Sequence, residues 1–386
     1  ITSLLLTLAM LLSLVPTLGV TASAADELGI SDYESLATML KSTTSRNLKL
    51  DNDIKYTLGS EDNGLDVWND QKLDLNGHKI RINAGGRASF FTLLSINSGE
   101  FTLCDSKGGG EIAVVFAMDG SQHSIIKINP RIKESPPKFT MNGGTLTRLN
   151  PHGVSSSRAS NGCISDSYEQ FETVERPQIT INGGTINCPY SWDRSKSLFY
   201  LGVYTMPLAL QLHYSNLTVN GGTFNGIVWT DKLTPKKGET EPRIFLNGGE
   251  FNYPFVVEGM QKDATQIVID GAHFNDGFHV DNGDSIFTDV GTVPALLLKS
   301  GVFDSPDKNP KLDIYNVTAA RGYSKDDKYR VIFHAMKCFP NSAIKVNGKF
   351  YTSENINSLV TSNDKDYYLN FNSNTPIEVI PDAWGV

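Results

Sequence analysis

The chain of 386 residues is long enough for two or three ordinary domains or for one long solenoid. Its 34 glycines and its 10% aromatic residues indicate turn-rich β structure rather than a helical protein. The formal net charge of −8 and the lack of a basic run argue against nucleic acid or an anionic membrane surface as a partner.

The chain opens with an apolar segment, residues 4–20, which is followed by Ala22-Ser23-Ala24. The segment is short for a membrane span, and small residues follow it where a signal peptidase would cleave. We therefore expect residues 1–24 to be a secretory signal cleaved near Ala24. The mature chain would be secreted or held at the extracellular cell surface, with no membrane span. A membrane anchor is the alternative.

A helix is predicted over residues 31–42, because Ser31 and Glu34 have the spacing of a capping box and an apolar helical stripe follows. This helix and the first strands would form an N-terminal cap over residues 25–60. A solenoid needs such a cap because its terminal strands have exposed edges.

One phrase recurs along the middle of the chain and is the main signal in the sequence. Apolar and polar residues alternate up to an asparagine, as in a half-buried strand, and two glycines then allow a tight turn. Asparagine itself tolerates a left-handed backbone, which suits the same turn. The copies are Phe139–Leu146, Ile179–Ile186, Leu217–Phe224 and Ile244–Phe251, with weaker ones at Leu73–Ile80, Leu94–Phe101, Ile267–Phe274 and Leu296–Phe303.

The period of the phrase predicts an all-β right-handed parallel β-helix over residues 61–310. The last copies recur after about 23 to 29 residues, which suits one coil of three short strands and three turns. Gaps of about 40 residues in the middle predict either a long loop in each coil or an extra unmarked coil. Residues 311–386 carry strand patterns without the phrase and predict late coils or a C-terminal β cap.

Stacked coils would place equivalent side chains above one another. Asparagines of the phrase would then form an amide ladder at one corner: Asn142, Asn182, Asn220 and Asn247. Apolar residues that follow the turn would line one interior wall: Phe101, Leu146, Ile186, Phe224, Phe251, Phe274 and Phe303.

Four cysteines are few for a secreted domain, and their spacing matches no metal site. A bridge between Cys163 and Cys188 is one interpretation. The other is that several of the four, with Cys104 and Cys338, are small buried residues in the stack.

The phrase and its setting resemble the secreted right-handed parallel β-helix proteins of the pectate-lyase-like superfamily, especially those of Gram-positive gut bacteria. Leu73–Ile80 matches the opening motif of that group, and the later copies match its repeats. The resemblance covers roughly residues 31–310. It implies the fold, but not the activity, because such folds host lyases, hydrolases, esterases, adhesins and phage spikes. The polygalacturonase motifs are absent except for Arg131-Ile-Lys133, which stands early and alone.

Candidate site residues come from aligning the coils on their phenylalanines. Asp231, Glu258 and Asp281 each stand seven residues beyond Phe224, Phe251 and Phe274, and Trp229, Val256 and His279 stand two residues earlier. Adjacent coils lie about 4.8 Å apart, so the carboxylates could serve glycoside cleavage or hold Ca²⁺. Trp229 could stack on a sugar, and His279 could transfer protons. Trp192 and Asp193 have similar offsets after Ile186 and are further carbohydrate-binding candidates. Solvated surface carboxylates are the alternative.

Histidines and aspartates also cluster in the sequence between residues 273 and 284, but their spacing is not diagnostic of a metal site, so no metal site is predicted there. They are His273, Asp276, His279, Asp281 and Asp284.

The sequence as a whole predicts a secreted or surface β-helix module that binds polysaccharide or another glycan, or mediates adhesion. A polysaccharide lyase or glycoside hydrolase that uses the acidic row is the first alternative, and a structural envelope protein is the second. No cofactor is firmly implied, apart from the Ca²⁺ that the carboxylates could bind. Neither the ligand nor the oligomeric state follows from the sequence.

Overall fold

The computed structural model describes residues 27–59, 62, 64–84, 90–116, 122–149, 162–166, 175–189, 207–230, 241–257 and 267–275. It also describes the strands that follow, from Phe278 to Ile380, and of these only Phe278 is described beyond its backbone. The described ranges form a protein built mostly from parallel strands, with one helix.

The described strands up to residue 314 form three stacks of parallel strands, and from Arg46 onward the chain passes through the first, second and third stack in turn. The first stack contains Glu27–Ile30, Arg46–Leu50, Gln71–Asp74, Glu100–Cys104, Lys138–Met141, Gln178–Ile181, Asn216–Val219, Ile244–Leu246 and the first halves of Ile267–Phe274 and Leu296–Phe303. The second stack contains Ile54–Thr57, Lys79–Asn83, Glu111–Val115, Thr145–Leu149, Thr185–Asn187, Thr223–Asn225, Glu250–Phe251 and the second halves of the same two long strands. The third stack contains Leu65–Val67, Phe90–Ile96, Gln122–Ile128, Ile164–Asp166, Leu208–Leu212, Ile227–Thr230, Phe255–Val257, Phe278–Val280 and Asp313–Ile314.

This order of strands is compatible with a parallel β-helix. Parallel pairing already begins with the strand Glu27–Ile30, within the predicted N-terminal cap.

The strand register decides between the two interpretations of the 40-residue gaps. Leu146 pairs directly with Ile186, and Ile186 pairs directly with Phe224. No further coil lies between these partners, so the extra residues belong to long connections within single coils.

The turn between the first and second stacks is made by the second glycine of the phrase. Gly144, Gly184, Gly222 and Gly249 have φ angles between +80° and +95°, a conformation that disfavours other residues. A Cβ on Gly222 would also lie 3.1 Å from the carbonyl oxygen of Gly184 in the preceding coil. The prediction that asparagine supplies a left-handed residue holds for the copy Leu73–Ile80, where Asn76 has a φ of 51°, and is wrong for the four main copies.

The predicted amide ladder is confirmed. Asn182 donates from Nδ2 to Oδ1 of Asn142 at 2.8 Å, Asn220 donates to Asn182 at 2.7 Å, and Asn247 donates to Asn220 at 2.9 Å. Each of the three donating amides therefore holds the coil before it, which gives the asparagines a structural role.

The predicted interior wall is confirmed except at Phe101, and for Phe303 only the backbone register is described, so the place of its side chain stays a prediction. One register joins Leu146, Ile186, Phe224, Phe251, Phe274 and Phe303, and the rings of Phe224, Phe251 and Phe274 stack at centroid distances of 4.5 and 5.0 Å.

Phe101 is the exception, because it pairs with Phe139 in the first stack, while Ile112 holds the expected place opposite Leu146. The phrase Leu94–Phe101 runs from the third stack into the first, so its asparagine turns a different corner from the other copies.

The predicted helix forms over Tyr33–Leu40 and contacts the strands Arg46–Leu50, Ile54–Thr57 and Leu65–Val67, which lie at the start of the three stacks. Tyr33, Leu36 and Leu40 are buried against the core. The N-cap is Asp32, whose Oδ1 accepts from the backbone N–H of Ser35 at 2.7 Å, and not the predicted Ser31.

The strands beyond residue 314 pair antiparallel and do not continue the three parallel stacks. They are Val317–Lys325, Lys328–Phe333, Ala343–Val346, Lys349–Thr352, Val360–Asn363, Asp366–Asn372 and Ile377–Ile380. Two of them pair with the strand Leu296–Phe303 at the end of the parallel stacks.

Candidate functional site on the third stack

The connections that vary most in length lead into and out of the third stack. The first and second stacks are joined by turns of three to six residues, such as residues 142–144 and 105–110. The connections from the second stack to the third vary from Gly226 alone to residues 188–207, and those leaving the third stack vary in the same way. Binding residues in solenoid and barrel scaffolds concentrate where loops flank a rigid surface, so the third stack is the candidate site.

One register column runs along the third stack from Leu65–Val67 to Phe278–Val280 and contains mainly hydrogen-bonding side chains. In chain order its members are Asp66, Ser95, Lys127, Ser165, Gln211, Trp229, Val256 and His279. Adjacent members are one coil, or about 4.8 Å, apart. The sequence alignment placed Trp229, Val256 and His279 in one column, and the register of the strands agrees with that placement.

Exposure changes along the described part of this column. Asp66, Ser95 and Lys127 are half-buried, whereas Ser165 and Gln211 are buried. The end that begins with Asp66 is therefore the part of the described column that solvent reaches.

Trp229 lies in the covered part of the column. It is 7% exposed and belongs to an apolar cluster with Leu208, Ile227 and Val256, against which Tyr253 packs. Its role in sugar stacking stays a prediction, and in this structure its indole is a packed side chain.

The remaining candidates lie wholly or partly outside the described residues. Asp231, Glu258, Trp192 and Asp193 lie outside them, as does Asp281, and of His279 only the backbone is described. In the sequence, Asp231, Glu258 and Asp281 each follow directly on the last residue of a third-stack strand, Thr230, Val257 and Val280. Their roles in catalysis or Ca²⁺ binding stay predictions.

Trp68 is the aromatic residue of this region that sequence reasoning missed. Its side chain is 41% exposed, and it stands two residues after Asp66, just past the strand Leu65–Val67. The other large apolar residue exposed to this degree in the described ranges is Ile132, in the connection that leaves the same stack two coils later. No pattern in the sequence marks Trp68, because the phrase that identifies the other stacks is absent around it.

A short amide ladder lies beside Trp68. Asn129 donates from Nδ2 to Oδ1 of Asn97 at 3.0 Å, and Asn97 donates from Nδ2 to Oδ1 of Asp66 at 2.9 Å. These bonds fix the Asp66 carboxylate at the solvent-accessible end of the column.

His123 is a buried histidine in the same stack. Burial, followed by the nearby positive charge of Arg148, lowers its pKa to about 4. Its Nδ1 accepts a hydrogen bond from the backbone N–H of Phe91 at 3.2 Å, and its ring stacks on Phe116 at 4.9 Å. The imidazole is therefore neutral at ordinary pH and serves as an acceptor that orders the strand pair.

Asp166 is a buried carboxylate at the end of a third-stack strand, where it binds backbone N–H groups of the next coil. It is 5% exposed and accepts backbone N–H bonds from His213, Tyr214 and Ser215 at 2.6 to 2.7 Å. Two buried arginines donate to the carbonyl oxygens of the same three residues: Arg176 to Tyr214, and Arg243 to His213 and Ser215. Charged side chains thus satisfy both the backbone N–H groups and the carbonyl oxygens of residues 213–215, where the chain turns out of the third stack.

Comparison of the chain with protein-family models, with curated proteins and with solved structures finds no match. Within the described part of the chain, no helix is both long and apolar enough to cross a membrane. The described residues also bring no three His, Cys, Asp or Glu side chains together in a group able to hold a metal ion.

Proposed function

We propose that this protein is a secreted right-handed parallel β-helix of the pectate-lyase-like type that binds an extracellular polysaccharide along its third stack. The observation that carries the proposal is the solvent-accessible end of the register column, where Asp66, Ser95 and Lys127 follow one another with Trp68 exposed beside them. The ordered parallel stacks and the apolar start of the chain support the fold and the extracellular destination.

The chemistry of this surface suits a carbohydrate. A sugar offers hydroxyl groups that both donate and accept, and the column supplies an acceptor at Asp66, a hydroxyl at Ser95 and a donor at Lys127. The apolar face of a sugar ring packs on an aromatic side chain, and an exposed indole such as that of Trp68 provides both an apolar surface and a polar N–H. A repeat of one polar side chain per coil suits a polymeric ligand better than a single small molecule.

Affinity electrophoresis and calorimetry against a panel of acidic and neutral polysaccharides test this proposal. We expect the full chain to bind at least one polysaccharide, and Trp68→Ala to weaken that binding about tenfold, the loss of about 1.4 kcal/mol that one stacking contact supplies. Trp68→Phe should retain most of the affinity. Lys138→Ala, an exposed change on the first stack, is the matched control and should bind like the wild type.

Two results would count against the proposal. One is a failure of the wild-type chain to bind any polysaccharide in the panel. The other is an equal affinity of the Trp68→Ala and wild-type proteins, which would remove Trp68 from the site.

The register of Trp229, Val256 and His279 favours polysaccharide cleavage as a second candidate function. Asp231, Glu258 and Asp281 follow the ends of these successive strands in the sequence, which is the arrangement that a row of catalytic or Ca²⁺-binding carboxylates would need. Incubation with the same polysaccharides, with and without Ca²⁺, should then release reducing ends or unsaturated products, and Glu258→Gln should abolish the release. Absence of both products would leave binding alone.

A further inference from the structure

Two thiols face each other inside the protein. The Sγ atoms of Cys163 and Cys188 are 3.4 Å apart, and both residues are fully buried. Both are free thiols in this structure, as is Cys104. This is the pair of cysteines for which the sequence left bridging and simple packing as alternatives.

The backbone holds these two cysteines in successive coils. Cys163 comes directly before the third-stack strand Ile164–Asp166, and Cys188 comes directly after the second-stack strand Thr185–Asn187 of the next coil. Each backbone N–H donates to a carbonyl oxygen one coil further on, Cys163 to Leu208 at 3.2 Å and Cys188 to Asn225 at 2.9 Å. The hydrogen-bonded ladders therefore fix the proximity of the thiols without any covalent bond.

We propose that Cys163 and Cys188 form a disulfide that links two successive coils from inside the core. A disulfide has its sulfur atoms about 2.05 Å apart, so the two sulfur atoms must approach by a little more than ~1 Å to form the bond. The coils that it joins are those with the longest connections between the second and third stacks, residues 150–163 and 188–207. The bond would hold together the two coils that their turns constrain least.

The reaction is a thiol–disulfide exchange with a small disulfide such as oxidised glutathione. One cysteine thiolate attacks the glutathione disulfide and releases one glutathione thiolate, leaving a mixed disulfide. The second cysteine thiolate then displaces the other glutathione. In sum, the two protein thiols lose two protons and two electrons, and one oxidised glutathione becomes two reduced ones.

The bond should form while the chain folds rather than afterwards. Burial, and then the hydrogen bond with Cys188, raise the pKa of the Cys163 thiol well above its ordinary value. The thiolate that must attack is therefore scarce once the coils have closed, and small reagents cannot reach it. For the same reason the finished disulfide should resist reductant in the folded protein.

The test is to refold the full chain from denaturant in glutathione redox buffer, with a parallel sample in dithiothreitol. Both samples are alkylated in denaturant, digested and analysed by mass spectrometry. We expect the oxidised sample to yield the Cys163 and Cys188 peptides linked and about 2 Da lighter than their reduced sum, with Cys104 alkylated. The oxidised protein should also unfold at a higher urea concentration than the reduced one.

Variants assign that urea shift to the pair. The difference between oxidised and reduced protein should vanish in Cys163→Ala and in Cys188→Ala and persist in Cys104→Ala. Alkylation of both Cys163 and Cys188 after oxidative refolding would overturn the proposal, and so would linkage of either one to another cysteine. The peptide map of the wild-type protein distinguishes these outcomes even if an alanine variant does not fold.

Discussion

Truncation of Phe251 is the most direct test of the stacked core. The Phe251 ring is fully buried, and it stacks on Phe224 at 4.5 Å and on Phe274 at 5.0 Å and meets Phe255 edge-on at 5.4 Å. Loss of a buried phenylalanine to alanine costs about 3 to 5 kcal/mol. Aromatic pairs are worth about 0.5 to 1.5 kcal/mol each beyond the buried area, and Phe251 makes three of them. Phe251→Ala should therefore lie at the upper end of that range, about 5 kcal/mol.

Urea unfolding followed by circular dichroism measures this loss. Stability in a solenoid is a sum of neighbouring-repeat terms, so the coils around residues 224–274 should unfold first and give a second, earlier transition. The matched control is Phe245→Ala in an adjacent strand of the first stack, where the ring is half-buried and should cost about 1 kcal/mol. Equal destabilisation by the two changes would refute the argument that Phe224, Phe251 and Phe274 form an interior wall of the core.

Three particular contacts support further predictions. Asp166→Asn should lower the free energy of unfolding by about 2 to 3 kcal/mol because both carboxylate oxygens accept backbone N–H bonds, three in all, and an amide keeps one acceptor oxygen. Asp70→Asn is the control and should cost about 1 kcal/mol or less in the same urea titration, because one oxygen of Asp70 accepts from Glu100 N–H and the amide oxygen can keep that bond. His123 has a folded pKa of about 4, below its ordinary 6.5, so the unfolded chain binds more protons between these values. Stability should therefore be full above about pH 6.5 and fall by about 2 kcal/mol as pH drops to 4, and this part of the pH dependence should disappear in His123→Gln; an unchanged pH profile in that variant would contradict the buried neutral imidazole. Asn182→Ala breaks two bonds of the exposed amide ladder and should cost about 1 to 2 kcal/mol, measured against Thr180→Ala in the strand that ends directly before Asn182; equal effects would show that the ladder contributes nothing.

Local chemistry explains what could be predicted in the repeat. The Asn-Gly-Gly phrase forces a turn wherever it occurs, and repetition of a turn places the asparagines above one another. The amide ladder from Asn142 to Asn247 and the stacked Phe224, Phe251 and Phe274 follow from that repetition once the coils pair in register. The helix over Tyr33–Leu40 is similarly local, since a capping side chain and an apolar stripe suffice to specify it.

The candidate site was less accessible to prediction. The alignment of Trp229, Val256 and His279 succeeded because the later coils have short connections, so that ungapped counting from each phenylalanine stays in register. Counting residues does not show whether a side chain is buried. Only the packed structure shows that Trp229 is buried while Trp68 is exposed.

The sequence by itself determined where the chain turns, which residues repeat and that the strands would stack. Tertiary structure alone decided which strands became neighbours: that Phe101 lies beside Phe139, that Leu146 lies directly beside Ile186 of the next coil, and that Cys163 meets Cys188. The physical reason is that a turn depends on a few consecutive residues. Register between strands separated by about 40 residues depends instead on ladder hydrogen bonds and side-chain packing, which exist only when the coils come together.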